Sequence, residues 1–418
     1  MIYAAALTEL GRPTIFAKKG MAFMTTKVYL VGQCTVTLWG LSSRERLHRM
    51  LRRLPKVHLL GAGQPLPKDG VVLLLREDYL YDERVIRGLL ASEGVALQDP
   101  RNGTVAAACL GADQLDERAV RLEGPVIAGL QKVRPDTVAS GLQTQLRKLD
   151  RPWVAFITDS NRAQLEKALF SGAYKGVTDL ITLKVWPLPA RWVTGVCVRL
   201  GLSPNHVTAA SYVLAILAGW WFWNGNYGSG LLAGWVMTFL DTVDGKLARV
   251  TVTSTRFGNI FDHALDLVHP PLWYIAWGVG LAASWNHAMP LDALYWVIFL
   301  GYLGGRLCEG AFKLAAPFSL FLWRPFDSVN RLVTARRNPN LLLLSLAWIA
   351  QANDIGLQLV ALWTLISTLV LAVRVIWAIS LRKRGAELQP WLTQVDLKAE
   401  RHRPVVRLFA PRSGLHDA

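Results

Sequence analysis

Four aspartates, Asp241, Asp244, Asp262 and Asp266, stand at the ends of two strongly apolar segments of this 418-residue chain. An ionised carboxylate in or near hydrocarbon costs roughly 2.5–3.5 kcal/mol even on lenient insertion scales, and four together also repel one another. Something positive must sit among them. Carboxylate oxygens are hard ligands suited to Mg2+ or Mn2+, and an ion so held can neutralise a diphosphate. Zinc chemistry is not expected, because the site offers no histidine pair and Cys34, Cys109, Cys197 and Cys308 are scattered without CxxC spacing. They read as thiols of a reducing compartment.

Helical spacing gathers these groups. Asp241, Asp244 and Ala248 fall at i, i+3 and i+7, while Gly258, Asp262 and Asp266 fall at i, i+4 and i+8. Each set shares one helix face, and a hairpin between the two helices would bring the faces together. Gly245, Ala248 and Gly258 leave room for a ligand against the backbone. Arg249 adds a fixed cation suited to phosphate oxygens.

The elements that must position this cluster divide unevenly along the chain. Residues 1–25 read as a tail. From 26 to 171, short β-rich runs (28–31, 58–60, 71–75, 104–110, 153–158) alternate with helical ones (43–53, 82–91, 163–171). Continuous apolar strands between helices predict a covered, largely parallel sheet in a soluble α/β domain. Residues 172–200 read as an ordered linker, left outside the site, and a short amphipathic helix at the membrane interface. Six segments of about bilayer-spanning length follow, near 206–224, 229–248, 258–281, 291–314, 340–353 and 356–380, giving an all-α transmembrane bundle over 201–380. The remainder, 381–418, is polar and basic and is expected to be loosely ordered.

Charge supports this topology. The connections 222–229, 284–291 and 351–356 carry no Lys or Arg. The opposite side holds Lys246, Arg249, Arg256, Arg324, Arg331, Arg336, Arg337, Arg382, Lys383 and Arg384. The positive-inside rule therefore places both termini and the aspartates on the cytoplasmic side of a bacterial-type inner membrane. The basic residues of the membrane half cluster in these loops, so anionic lipid, not nucleic acid, is the expected partner. Buried carboxylates could also serve an ion-coupled carrier, a rival that the spacing disfavours.

The stretch from Asp241 to Asp266 matches DxxDGxxARx8GxxxDxxxD at every defined position and so resembles the CDP-alcohol phosphatidyltransferase family. Upstream, Ser203-Pro204-Asn205-His206-Val207-Thr208 is similar to the TPNxVT run that opens the family's first span. The resemblance implies transfer of a phosphoalcohol group from a CDP-alcohol donor to an acceptor alcohol with release of CMP. It implies that Asp241, Asp244, Asp262 and Asp266 hold Mg2+ (or Mn2+), two ions being the expectation. Asp266 would also be the catalytic base. Gly245, Ala248, Arg249 and Gly258 would line the CDP pocket, with Asn205 and Thr208 beside it. A homodimer is implied by the same analogy. Arg256, Arg306 and Lys313 are candidate acceptor-binding residues, set against the alternative that Arg306 pairs with Glu309 and Lys313 reaches to the interface.

The soluble half resembles a nucleotidyltransferase-like domain, with Leu38-Trp39-Gly40 and Glu45-Arg46-Leu47 at its first helix and Asp78 after a central strand. Fused to the transferase motif, it is similar to bifunctional inositol-1-phosphate cytidylyltransferase and di-myo-inositol-phosphate phosphate synthase proteins. The place of the glycine-rich phosphate loop reads Val31-Gly32-Gln33-Cys34-Thr35-Val36-Thr37, without a basic residue. A catalytically degenerate domain is therefore expected, with a CTP-using bifunctional enzyme as the alternative.

Overall fold

The computed structural model describes residues 25–61, 64–254, 256–396, 399–400 and 402–409, with backbone alone for 256–267. The first half is built on a six-stranded sheet. Its strands are β1 (Thr26–Val31), β2 (Val57–Leu59), β3 (Val71–Arg76), β4 (Val95–Gln98), β5 (Val105–Gly111) and β6 (Gln131–Val133). Their spatial order is β2-β1-β3-β5-β4-β6. Val72, Leu73, Leu74 and Leu75 are all fully buried. Leu73 and Leu75 join the core under helices α1 (Ser43–Leu51) and α2 (Glu83–Leu90). Val72 and Leu74 face Ala119, Leu122 and Ile127 on the other side. An unbroken apolar strand is what two covered faces require.

The sheet is mixed, which corrects the expected largely parallel one. The strands β2, β1 and β3 are parallel, but β5 is antiparallel to both β3 and β4. The short β4 was missing from the sequence reading. The run expected as a strand at 153–158 forms Val154–Phe156, which pairs with Tyr79–Tyr81 away from the sheet.

The rest of the chain is helical. Helix α3 (Arg162–Gly172) leads to a short α4 (Leu180–Lys184) and to α5 (Pro187–Arg199). Helices α6 (Pro204–Trp223), α7 (Tyr227–Val250), α8 (Arg256–Leu281), α9 (Leu291–Phe312), α10 (Pro325–Val333), α11 (Arg337–Ile349) and α12 (Asn353–Lys383) follow. Among the described residues, α9 and α12 are long and apolar enough to cross a membrane. The fifth expected span, α11, has 13 residues and falls short of bilayer length. Helix α8 carries Pro270 and Pro271 in its interior. Neither can donate to the carbonyls four residues earlier, at 266 and 267.

Indole N–H groups tie the bundle together, each finding a partner inside apolar surroundings. Trp273 of α8 donates to the Ala215 carbonyl at 2.8 Å, and Trp277 to the Asn353 carbonyl at 3.0 Å. Trp235 of α7 donates to Ser345 Oγ on α11 at 2.9 Å. The opposite, outward faces expose Ile216, Leu232, Trp296, Leu307, Leu362 and Ile376.

Residues beyond α12 depart from the expected loose tail. Leu388, Trp391, Leu392, Val406 and Phe409 are buried with Phe312, Phe318 and Phe321 in one cluster. The aromatic and aliphatic positions of the tail were obscured by its basic composition.

The two halves are joined at the C-terminal end of α7. Helix α1 buries residues 43, 46, 47, 50 and 51, a helical stripe that includes Arg46. Arg46 donates to the Val250 carbonyl at 2.8 Å and to the Leu38 carbonyl at 2.9 Å. Arg49 donates to the Thr251 carbonyl at 2.7 Å. Two guanidiniums thus satisfy the last carbonyls of α7, where the helix dipole favours positive charge. Replacing Arg46 by Leu removes both of its donations at this joint and should lower unfolding stability of the chain by about 2–4 kcal/mol. Denaturant titration checks this, and an unchanged midpoint would show that the contact does not hold the halves together.

Candidate active site

Helix α7 carries Asp241 and Asp244 one turn apart in its C-terminal half. Asp244 is buried, and its Oδ2 accepts from the Thr208 hydroxyl at 2.7 Å. Thr208 lies one turn into α6, whose start is fixed by Ser203 at the N-cap position, accepting from the His206 N–H. Asp241 is paired with Arg337 at the start of α11. Among the described residues, a Cβ added at Gly245 would meet only the tip of Arg249, at 3.7 Å, so none of them covers the helix face there. Arg249 itself donates to the Ala173 carbonyl at 2.9 Å.

That last bond reaches into the segment the sequence reading left outside the site. Residues 172–179 lie against the motif helix. Lys246 is buried with its Nζ 3.8 Å from the centre of the Tyr174 ring, a cation held over an aromatic face. Asp179 caps α4 by accepting from the Thr182 N–H at 2.9 Å, and it also accepts from the Asn338 amide at 3.0 Å and the Thr178 hydroxyl at 3.4 Å. Burial alone would raise the Asp179 carboxyl, but Arg331 and the hydrogen bonds from Thr182 and Asn338 outweigh it and hold it below the usual range. Lys175 is pushed down to about 8 by burial and by the like charges of Arg147, Arg249 and Arg331, against the pull of Asp241. In the sequence Tyr174 and Lys175 read as part of a linker and Arg331 as a loop charge, and nothing singles out Arg147. Their significance arises from contacts across long stretches of chain, and no local spacing signals it.

The expected site residues are placed as follows. Thr208 at the start of α6 and Asp241, Asp244, Gly245, Ala248 and Arg249 in the C-terminal half of α7 lie at the same end of the bundle. Asn205 is exposed on the first turn of α6. The side chains of Arg256, Gly258, Asp262 and Asp266 lie outside the described residues; their backbone forms the first turns of α8. Arg306 lines a cleft between α9 and α12 with Tyr302, Glu309 and Arg336, and donates to the Tyr302 hydroxyl at 2.8 Å. The Arg306–Glu309 pair considered from sequence is not what forms, because Glu309 pairs with Arg336. Lys313 is exposed at the end of α9 and does not line this cleft.

The donor set suits a divalent cation. It is made of oxygens, and its carboxylates are oriented by a hydroxyl and a guanidinium. Among the described residues no cluster of three ligands is complete, the other two aspartates being on the undescribed stretch.

Residues 201–308 match the CDP-alcohol phosphatidyltransferase family model. The chain therefore carries a domain of that family in its C-terminal half and is an enzyme of the phosphatidyltransferase class. It is similar to archaetidylinositol phosphate synthase of Pyrococcus horikoshii, at 26% identity over 171 residues, which cover 39% of this chain and 78% of that protein. It is also similar to CDP-diacylglycerol–inositol 3-phosphatidyltransferase of Drosophila melanogaster, at 41% identity over 15% of this chain and 28% of the relative. Phosphatidylinositol phosphate synthase of Mycobacteroides abscessus is 34% identical over 20% of this chain and 40% of its own length.

Lys175 yields a pH test. Its ammonium loses its proton near pH 8 in the folded chain and near 10.5 when unfolded. The unfolded state thus binds more protons between those values, so stability rises with pH across that window, and the charge is unfavourable below it. Lys175→Gln should flatten this part of the stability profile, measured by thermal unfolding at pH 8 to 10.5. An identical slope in the variant would exclude the assignment.

Proposed function

We propose that the protein is a membrane-embedded enzyme that transfers a phosphoalcohol group from a CDP-alcohol to an acceptor hydroxyl, releasing CMP. The observation that carries this reading is the complete motif from Asp241 to Asp266, with its first two carboxylates held by Thr208 and Arg337 at the end of an apolar bundle. All three similar proteins are named for inositol phosphate or phosphatidylinositol synthesis. An inositol or inositol-phosphate acceptor, with a lipid-linked CDP donor, is therefore the substrate class proposed. The apolar outward faces of the helices, and Leu188, Trp192 and Leu200 exposed along and just after α5, support six membrane-crossing segments with an interfacial helix before them.

Asp241, Asp244 and Asp262 would hold Mg2+ or Mn2+, which when bound supplies positive charge to the donor diphosphate. Thr208 fixes the Asp244 carboxylate, and Arg337 fixes Asp241. Arg249 and the surface at Gly245 would receive the cytidine diphosphate, where a side chain would obstruct it. Asp266 would take the proton of the acceptor hydroxyl, and alignment of the two substrates accounts for the remaining rate.

The N-terminal half is proposed to be catalytically silent. Arg76 donates to Asp78 at 2.9 and 2.5 Å, so the carboxylate expected to serve a metal is already neutralised. Glu77 is likewise engaged by Arg44. CDP-alcohol formation from CTP by the full-length chain would instead establish the bifunctional alternative.

Asp266→Asn should abolish CMP release while leaving binding of the CDP-alcohol intact. The test is CMP release and donor binding by purified protein given CDP-diacylglycerol with inositol or inositol 1-phosphate. Near-normal turnover in the variant would contradict the assigned base.

A further inference from the structure

A second cluster of charge lies beside the motif, and it is cationic. Phe321 is fully buried, and three guanidiniums surround its ring: Arg147 at 5.6 Å, Arg331 at 5.5 Å and Arg336 at 5.7 Å from the centre. Arg306 is close enough to repel both Arg147 and Arg331. Lys175 is close enough to feel the charges of both Arg147 and Asp241. Arg336 is matched by Glu309 and Arg337 by Asp241. Among the described residues Arg147, Arg306 and Arg331 form no ion pair, and the nearby Asp179 is already engaged by Thr182 and Asn338.

Arg331 is 7% exposed, yet its Nε and Nη1 have no hydrogen-bond partner. A buried guanidinium left unpaired is expensive, and the ring of Phe321 compensates only part of that cost. Arg147 adds an independent sign. It occupies the turn between Leu142–Gln143 and Lys148–Leu149 with φ of 49°, a left-handed conformation that Asn or Gly adopts with less strain. The turn is nonetheless fixed, because Gly176 N–H donates to the Leu146 carbonyl at 2.8 Å and Val177 N–H to the Arg147 carbonyl at 3.0 Å. A strained backbone thus holds a long cation against other cations.

We propose that Arg147 and Arg331, with Lys175 and Arg306, form a phosphate-binding site adjoining the aspartate motif, so that the N-terminal half completes the substrate pocket of the C-terminal half. Arg147, Lys175 and Arg331 all lie outside the segment matched by the family, residues 201–308. Planar guanidiniums from different elements can grip one phosphate through paired hydrogen bonds, which supplies the counter-charge the cluster lacks. The phosphate is either the diphosphate of the donor or a phosphomonoester on the acceptor. This inference rests on the transferase reading for its placement, and on the cluster alone for its ligand chemistry.

Full-length wild type, Arg147→Asn, Arg147→Lys and Arg331→Gln decide it. Asn suits the left-handed turn, so Arg147→Asn should unfold no earlier than wild type without ligand. Inorganic phosphate should raise the unfolding temperature of wild type, and this rise should vanish in Arg147→Asn and Arg331→Gln and persist in part in Arg147→Lys. In CMP-release assays, KM for one phosphate-bearing substrate should rise about tenfold or more, with a smaller change in kcat. A rise confined to CDP-diacylglycerol assigns the phosphate to the donor, and a rise for inositol 1-phosphate but not for inositol assigns it to the acceptor. If phosphate stabilises wild type and both charge-removing variants alike and neither KM moves, the site does not exist. If wild type releases no CMP from any donor while the phosphate response is lost in the variants, the transferase reading fails and the anion site stands.

Discussion

Charge held at the boundary of an apolar bundle is the constraint on which this protein is organised. Carboxylates at the end of α7 cannot be left to solvent alone, and each described one has a specific partner. The Thr208 hydroxyl fixes Asp244, and Arg337 balances Asp241. Both partners come from other helices, so the orientation of the acids is a property of the packed bundle. On the proposed reading, a divalent cation and a diphosphate would enter a site whose electrostatics are arranged in advance, the condition under which charge stabilisation is most effective.

The same constraint explains why the soluble half is fastened where it is. Arg46 and Arg49 of α1 cover the carbonyls that end α7, and Arg249 returns the contact to the Ala173 carbonyl. Tyr174 lies over Lys246 within the motif itself. The α/β domain is therefore a frame clamped to the catalytic helix. That arrangement fits the proposal that this half is catalytically silent, since the acids Glu77 and Asp78 are tied to Arg44 and Arg76.

The helical spacing of Asp241, Asp244 and Ala248 was legible because it depends on one helix only. The buried strand β3 was equally plain, being apolar at every position from Val71 to Leu75. What could not be read were features created by distant chain segments. Residues 172–179 read as a linker because Tyr174 and Lys175 gain meaning only when Lys246 and Asp241 come near. Glu309 sat at helical spacing from Arg306, yet a longer-range partner, Arg336, was better placed. The tail read as loose because its basic residues dominate its composition, while a few apolar ones, Trp391, Leu392 and Phe409, carry its packing. In the sheet, antiparallel β5 resembled a parallel strand because both kinds, when covered on two faces, are uniformly apolar.

Whether the aspartates of two successive helices enclose one cation site is the question on which the account turns. Titrating purified full-length protein with Mn2+ and following free ion by electron paramagnetic resonance addresses it, with and without CDP-diacylglycerol. The account predicts saturable binding that tightens with the nucleotide and is lost in both Asp244→Asn and Asp262→Asn. Binding that survives both substitutions unchanged would contradict it.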